Sequence, residues 1–420
     1  MNTERDPSRA PGIAGPPAAP RDADGGRAAP VVNRPGVALM SVSHGVDDLY
    51  QGIVPAMLPF LAAERHYSYA AVSGLTLAAT VLSSVAQPAF GWLTDRRPRR
   101  WMIPAGMAVA GVGIAVAGLF PIYLLTWLAI AVSGLGVAAF HPEAARAARQ
   151  AAGDSTRAMS VFALGGNAGY AIGPLVATPV LLAAGVRGTP LLMTPAVAMA
   201  ALVIARLGHV LDGRPGRRRR STLPAGDDDW PAFARLTAVV VVRSMLFFGL
   251  TTFLALHFVH DLGVSTAQAD AALTAFLAAG ATGTLLGGWL ADRAGRLICI
   301  RLGFALAVPA LIGLALTTAW PLAIGLVVVT GVATYLPFSV FVVLGQDYLP
   351  NRIGTASGVT VGLAVSAGGL AAPALGALAD ATDVRTVLAV LVVLPVAALA
   401  LSTLLYDPKP YDPTKGRGRG

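Results

Sequence analysis

Cysteine is all but missing from this sequence. Cys299 is the only one in 420 residues, so no disulfide within the chain and no thiolate metal cluster can hold the fold together. Charge is scarce too, at 13% of residues against about 25% in a soluble domain, and lysine is limited to Lys409 and Lys415. That deficit excludes a soluble enzyme of this length. No H-E-x-x-H pair occurs to hold zinc, and no phosphate loop occurs to hold ATP, so a zinc hydrolase and a chain that binds ATP are both excluded; no metal or cofactor is expected. Asp47-Asp48 has no second aspartate-rich motif within a span to complete an intramembrane catalytic set.

What the chain has is apolar surface: 55% of residues are hydrophobic and the mean hydropathy is +0.65. The apolar residues come in repeated runs of about twenty, the length that crosses ~30 Å of hydrocarbon as a helix. The expected fold is an all-α polytopic membrane protein. About twelve spans are read, centred near residues 50, 80, 110, 132, 171, 200, 247, 279, 307, 333, 366 and 394. A formal charge of +9 fits cationic cytoplasmic loops before it fits a nucleic-acid partner, which is not expected.

Arginines orient the spans. Connections after even-numbered spans hold Arg96, Arg97, Arg99 and Arg100, then Arg146, Arg149 and Arg157, then Arg214 and Arg217 to Arg220, then Arg293 and Arg296, then Arg352; the opposite loops hold only Arg65, Arg187 and Arg385. The positive-inside rule then places both termini in the cytoplasm, with Glu64 to His66 outward. Residues 1–35, rich in Pro, Ala, Gly and Arg, are expected to be a disordered cytoplasmic tail and not a signal peptide. The Arg run, Pro224, Gly226 and Asp227 to Asp229 have linker composition. The domain division is therefore 36–211 for a first six-helix bundle, 212–232 for a cytoplasmic linker, 233–406 for a second bundle, and 407–420 for a tail.

The two halves repeat a motif. Gly91-x-Leu93-x-Asp95-Arg96-x-x-Arg99-Arg100 has its counterpart in Gly288-x-Leu290-x-Asp292-Arg293-x-Gly295-Arg296, each after the second span of its half. Positive-inside bias explains the arginines but not Gly91 or Asp95. An aspartate at a helix C-terminus is poorly placed in its own dipole and gains from a facing helix N-terminus or an arginine, which suits a latch. The motif resembles the signature loop of the major facilitator superfamily. That resemblance implies twelve transmembrane helices in two pseudo-symmetric six-helix halves, a substrate site between them, and a cytoplasmic gate at these residues. Further segments are similar to the fosmidomycin-resistance subfamily: Ser43-His44 through Asp48 and Gln51, Gln87-Pro88, Phe140-His141-Pro142-Glu143 through Arg149, Gly165-Gly166-Asn167, Gly173-Pro174, and Gln346-Asp347 through Gly354. Pro98 also fits that subfamily. Asp47 stands where Asn is expected, and Arg243 and His257 match no motif of it. Gly165, Gly169 and Gly173-Pro174 lie along one helix face; Gly358, Gly362 and Pro373 occupy the matching span. The pattern resembles an antiporter motif, and close helix packing is its plainer explanation.

Ionisable groups within spans are costly and point to function. His44, Asp47, Asp48 and Gln51 at i, i+3, i+4 and i+7 share a face of the first span, with Asp48 near the midplane. Proton coupling is the sharper reading and a plain polar wall the blander one. His141 reaches a similar depth on the fourth span and is a candidate proton relay; Glu143 is either a coupling acid or the partner of Arg146 at i+3. Arg243 and His257 begin and end a stripe on the seventh span. Arg243 either snorkels to the interface or meets an anionic substrate in the cavity. Tyr335, Ser339 and Gln346 on the tenth span add hydrogen-bonding groups to the candidate cavity.

The expected function is secondary active transport by alternating access: a proton-coupled exporter of a small organic compound, such as a fosmidomycin-like phosphonate. A proton symporter that imports a metabolite shares every feature but the direction, and a receptor that does not transport is a remoter alternative. The expected partners are a small-molecule substrate, protons and the lipid bilayer, and the chain is expected to be a monomer in the inner membrane.

Overall fold

The computed structural model describes residues 32–408 apart from 98, 153–155, 212–226, 353–354, 357–358 and 361–363; nothing is described of the side chains of 95, 96, 156, 157, 209–211, 364 and 365. Residues 1–31 of the first tail, most of the expected linker, Arg214, Arg217 to Arg220, Gly354, Gly358, Gly362, residues 409–420 of the second tail and the side chains of Asp95, Arg96 and Arg157 lie outside these descriptions; Arg34 and Pro35, expected in the tail, already belong to the first helix.

Helices account for the fold, and no strand occurs among the described residues. They are α1 Arg34–Arg65, α2 Tyr69–Arg96, α3 Met102–Ala117, α4 Tyr123–Ala152, α5 Thr156–Ala184 and α6 Thr194–Leu211, with a 3₁₀ helix, Val186–Met193, leading into α6. Then follow α7 Trp230–His260, α8 Thr266–Ala294, α9 Arg296–Leu316, α10 Trp320–Tyr335, α11 Phe338–Tyr348, α12 Ala364–Ala381, α13 Val384–Leu391 and α14 Val393–Ser402. Among the described residues nine segments are long and apolar enough to cross a membrane, α10 with α11 and α13 with α14 each counting as one. α1, the shorter apolar α3 and α12 occupy the other three expected spans. Val85, Ile204 and Leu316 are exposed, which a surrounding bilayer explains and water does not.

Local chemistry sets the ends. Asn33 accepts from the Gly36 N–H at 3.0 Å to start α1, and Ser265 with Gln268 forms a capping box on α8. Asp229 caps α7 by accepting from the Ala232 N–H at 2.9 Å. The Tyr406 hydroxyl also donates to it, and these two bonds hold the Asp229 carboxyl below the usual carboxylate range. Pro337 has no N–H to continue a helix, and the tenth span is interrupted there, between α10 and α11.

Glycine lets α1 and α5 meet backbone to backbone. A Cβ on Gly169 would lie against the Gly45 carbonyl, one on Gly52 against the Tyr170 carbonyl, and one on Gly165 against the Ser41 carbonyl. The Gly165, Gly169 and Gly173 stripe therefore serves packing against α1. The described hydrogen bonds between the first six spans and the last six run from mid-depth to the arginine-poor end. Asp380 at the end of α12 accepts from the Tyr69 and Ala70 N–H groups of α2 at 2.7 and 2.9 Å, satisfying two of the donors that every helix start leaves unpaired. Thr178 of α5 donates to Asp270 of α8 at 2.5 Å, and Thr76 of α2 meets Thr252 of α7 at 3.0 Å.

Candidate functional site

Between α1, α5, α7, α8 and the broken tenth span lies a cavity of about 190 Å³. Asp48 and Gln51 line one wall with Asn167 and Tyr170; Arg243, Ser244, Phe247 and Phe248 line the facing wall with Tyr335 and Phe338.

The first wall centres on a knot of four side chains. One helical turn separates His44 from Asp48, and His44 Nε2 stands 3.3 Å from Asp48 Oδ2. His141 reaches across from α4, its Nε2 3.3 Å from Asp48 Oδ1 and 3.3 Å from His44 Nε2. The Gln51 amide donates to Asp48 Oδ1 at 2.9 Å. Asp47 is fully buried, 3.6 Å from His141 Nδ1, and both its oxygens lack a hydrogen-bond donor among the described residues. Both imidazoles are fixed from behind: His44 Nδ1 donates to the Phe162 carbonyl at 2.9 Å and His141 Nδ1 to the Val137 carbonyl at 2.8 Å. The ring of His44 also stacks on Phe162 at 4.3 Å between centroids. Room for the cluster comes from Gly166, where a Cβ would stand 2.5 Å from Asp48 Oδ2 and 2.6 Å from His44 Nε2.

The second wall centres on Arg243. Its guanidinium is buried, not snorkelled: Nε donates to the Thr334 carbonyl at 3.1 Å, beside the break in the tenth span. The faces of Tyr335, Phe338 and Phe247 lie 4.8, 5.1 and 5.4 Å away. Aromatic faces attract a cation but do not neutralise it, and one terminal nitrogen has no hydrogen-bond partner among the described residues. The group is a fixed donor with unsatisfied capacity.

Three expected cavity residues lie elsewhere. His257 is fully buried near the arginine-poor end of α7, where Nδ1 meets Asp261 at 2.6 Å, because its stripe carries it about 20 Å along the helix from Arg243. Ser339 and Gln346 are on α11, past the break, and do not line the cavity; the break turns them off the face that Tyr335 presents. Gln51, Arg243 and Tyr335 do line it. Glu143 is fully buried and paired with Arg146, outside the cavity lining. Asn167, Tyr170, Phe247 and Phe338 line the cavity without having been singled out as cavity residues. Asn167 had a signal, being polar in an apolar span beside Gly166.

At the arginine-rich end the paired motifs are only partly described. Gly91 is half-buried in α2, and Arg99 Nε has no hydrogen-bond partner among the described residues. Gly288 stands near Ser339. Asp292 and Arg293 are exposed, with Arg293 4.3 Å over the Trp289 ring, and Asp292 forms no ion pair among the described residues. Arg296 instead binds Asp347 at 2.6 Å and also Asp407, tying α9 to the end of α11 and to the residues after α14.

Twelve helical spans around a central cavity with charged groups on facing walls define a membrane transporter fold. A family model described as Major Facilitator Superfamily matches residues 40–373, with a second match over 236–420. The chain belongs to the Major Facilitator Superfamily. It is 32% identical over 389 residues to the MFS-type transporter YfnC of Bacillus subtilis (strain 168), covering 89% of this chain and 94% of that protein. It is 30% identical over 383 residues to the fosmidomycin resistance protein of Escherichia coli (strain K12), covering 89% and 93%. A solved bacterial homologue of the human lysosomal transporter Spinster, inward-facing and occupied, shares the fold with a TM-score of 0.73, 16% identity, and coverage of 89% of this chain and 98% of that one.

Proposed function

We propose that this chain is a proton-coupled exporter of compact organic anions, phosphonates of the fosmidomycin type among them. It sits as a monomer in the cytoplasmic membrane with both termini inside, and bundles 36–211 and 233–406 rock about the cavity. The observation that carries this reading is the pairing of opposite chemistries across one cavity: a carboxylate wired to two imidazoles on α1 and α4, and an under-satisfied guanidinium on α7. Protonation of the Asp48 cluster changes the charge that a bound anion meets, which is how two ligands of one cavity come to exclude or admit each other. Arg243 remains charged throughout. A volume of about 190 Å³ falls below the ~300 Å³ at which drug-sized pockets begin, which favours a small solute over a bulky lipophilic one. The name of the Escherichia coli relative points to the same class of compound.

Expression in a sensitive host tests it. Tolerance to fosmidomycin-like phosphonates should rise, and Arg243→Gln should lower it. A lost charge-assisted hydrogen bond of ~1.5–3 kcal/mol corresponds to about a 10- to 150-fold loss of apparent affinity. Resistance to cationic dyes alone, unchanged by Arg243→Gln, would overturn the anion reading.

A further inference from the structure

The hydrogen bonds behind the two imidazoles fix what lies in front of them. Phe162 and Val137 offer carbonyl oxygens, which only accept, so both Nδ1 atoms are assigned the proton. In neutral rings the two Nε2 atoms then carry lone pairs. These lone pairs face each other at 3.3 Å and face the Asp48 carboxylate at 3.3 Å. Two imidazole lone pairs and a carboxylate turned toward one another repel unless a cation stands among them.

A proton meets that need in part, but the spacing suits a larger guest. An N–H···N or N–H···O bond settles at about 2.9–3.0 Å. A tetrahedral ion with bonds of about 2.0–2.1 Å sets its ligands about 3.3–3.4 Å apart. The two Nε2 atoms stand 3.3 Å apart, and each stands 3.3 Å from one oxygen of the Asp48 carboxylate, His44 from Oδ2 and His141 from Oδ1. The back-bonding of each ring to a main-chain carbonyl is the support that metal-ligating histidines require to hold their orientation. Gly166 keeps the space beside the cluster open, and Asp48 lines the cavity, so an ion has an approach. The buried Asp47 carboxyl lies behind the site, 3.6 Å from His141.

We propose that His44, Asp48 and His141 form a three-ligand site for a borderline divalent transition-metal ion, with Zn²⁺ as the best match and a fourth position open to the cavity. Two imidazoles and one carboxylate suit Zn²⁺ over Mg²⁺ or Ca²⁺, which take oxygen ligands in larger number. The site uses the side chains of the proton reading but does not depend on it, since a carrier coupled elsewhere would still bind metal here.

Titration of the purified, tag-free chain in detergent with Co²⁺, a spectroscopic stand-in, tests the proposal. The expected result is one ion per chain, with the visible absorption of a four-coordinate site that Zn²⁺ displaces. His44→Gln, His141→Gln and Asp48→Asn should each weaken binding by about tenfold or more. His66→Ala and His260→Ala, remote from the cluster, should leave it unchanged. Absence of saturable binding to the unsubstituted chain overturns the proposal without any variant, and so does binding that His66→Ala or His260→Ala removes while His141→Gln spares it. Zn²⁺ should also block transport if Asp48 carries the coupling proton. Metal binding at the three residues with transport unaffected would sustain the metal site and strike the proton reading.

Discussion

At the scale of single residues, the proposed coupling turns on Asp48. Its carboxylate accepts from Gln51, faces two imidazoles and lines the cavity, whereas Asp47 beside it is fully enclosed. Asp48→Asn keeps the shape but cannot carry a proton. Accumulation against a gradient should fall to the level of a vector-only control while substrate exchange between equal concentrations survives; accumulation at the normal level would remove Asp48 as the coupling site. Much of this cluster was legible from spacing, because 44, 47, 48 and 51 share a helical face whatever the helix packs against. The reach of His141 to Asp48 was legible only as a shared depth, since sequence does not give the rotation of α4 about its axis. That same missing rotation explains Ser339 and Gln346. A proline break at 337 re-aims every residue after it, and no periodicity count carries across such a break. Arg243 was readable as a cation bound either for the interface or for the cavity, and spacing did not choose between them, because its acceptor is a carbonyl beside that break.

At the scale of elements, the first and fifth spans are held by contact between backbones, and this follows from composition. Gly45 and Gly52 on α1 meet Gly165, Gly169 and Gly173 on α5, so the wall that carries His44 and Asp48 is pinned against the helix that supplies Asn167 and Tyr170. Gly169→Val inserts a side chain where the Gly45 carbonyl lies. An overpacking cost of ~1–3 kcal/mol should appear as a lower melting temperature in detergent and a lower folded yield. Gly325→Ala, which meets nothing within 4 Å, is the matched control and should melt no lower than the parent. An unchanged melting temperature for Gly169→Val would mean that α1 and α5 are not in contact as described. The sequence pattern indicated close approach for Gly165, Gly169 and Gly173 but not the partner helix, which depends on tertiary arrangement.

At the scale of the whole molecule, the described contacts that join the first and last six spans gather toward the arginine-poor end, where Asp380 binds the start of α2 and Thr178 binds Asp270. In the proposed orientation this is the outer face, and these bonds must part for the cavity to open outward. Arginine asymmetry carries that orientation, and labelling checks it in a Cys299→Ser background. A cysteine at Ala63 should react with an impermeant maleimide applied to whole cells, and one at Arg97 should react only after the membrane is opened. Labelling at position 97 in intact cells would reverse the topology. Twelve spans and an internal repeat were legible because bilayer thickness and the positive-inside rule act on composition directly. The facing state was not, because every state of an alternating carrier shares one sequence.

Proton-driven export is the central claim, and flux in everted membrane vesicles tests it most directly. In such vesicles the outer face of the protein lines the lumen. Labelled phosphonate should accumulate inside when the lumen is made acid, collapse when the gradient is dissipated, and fail to accumulate with Asp48→Asn. Accumulation that requires an acid exterior instead, or that proceeds equally without any gradient, would contradict the account.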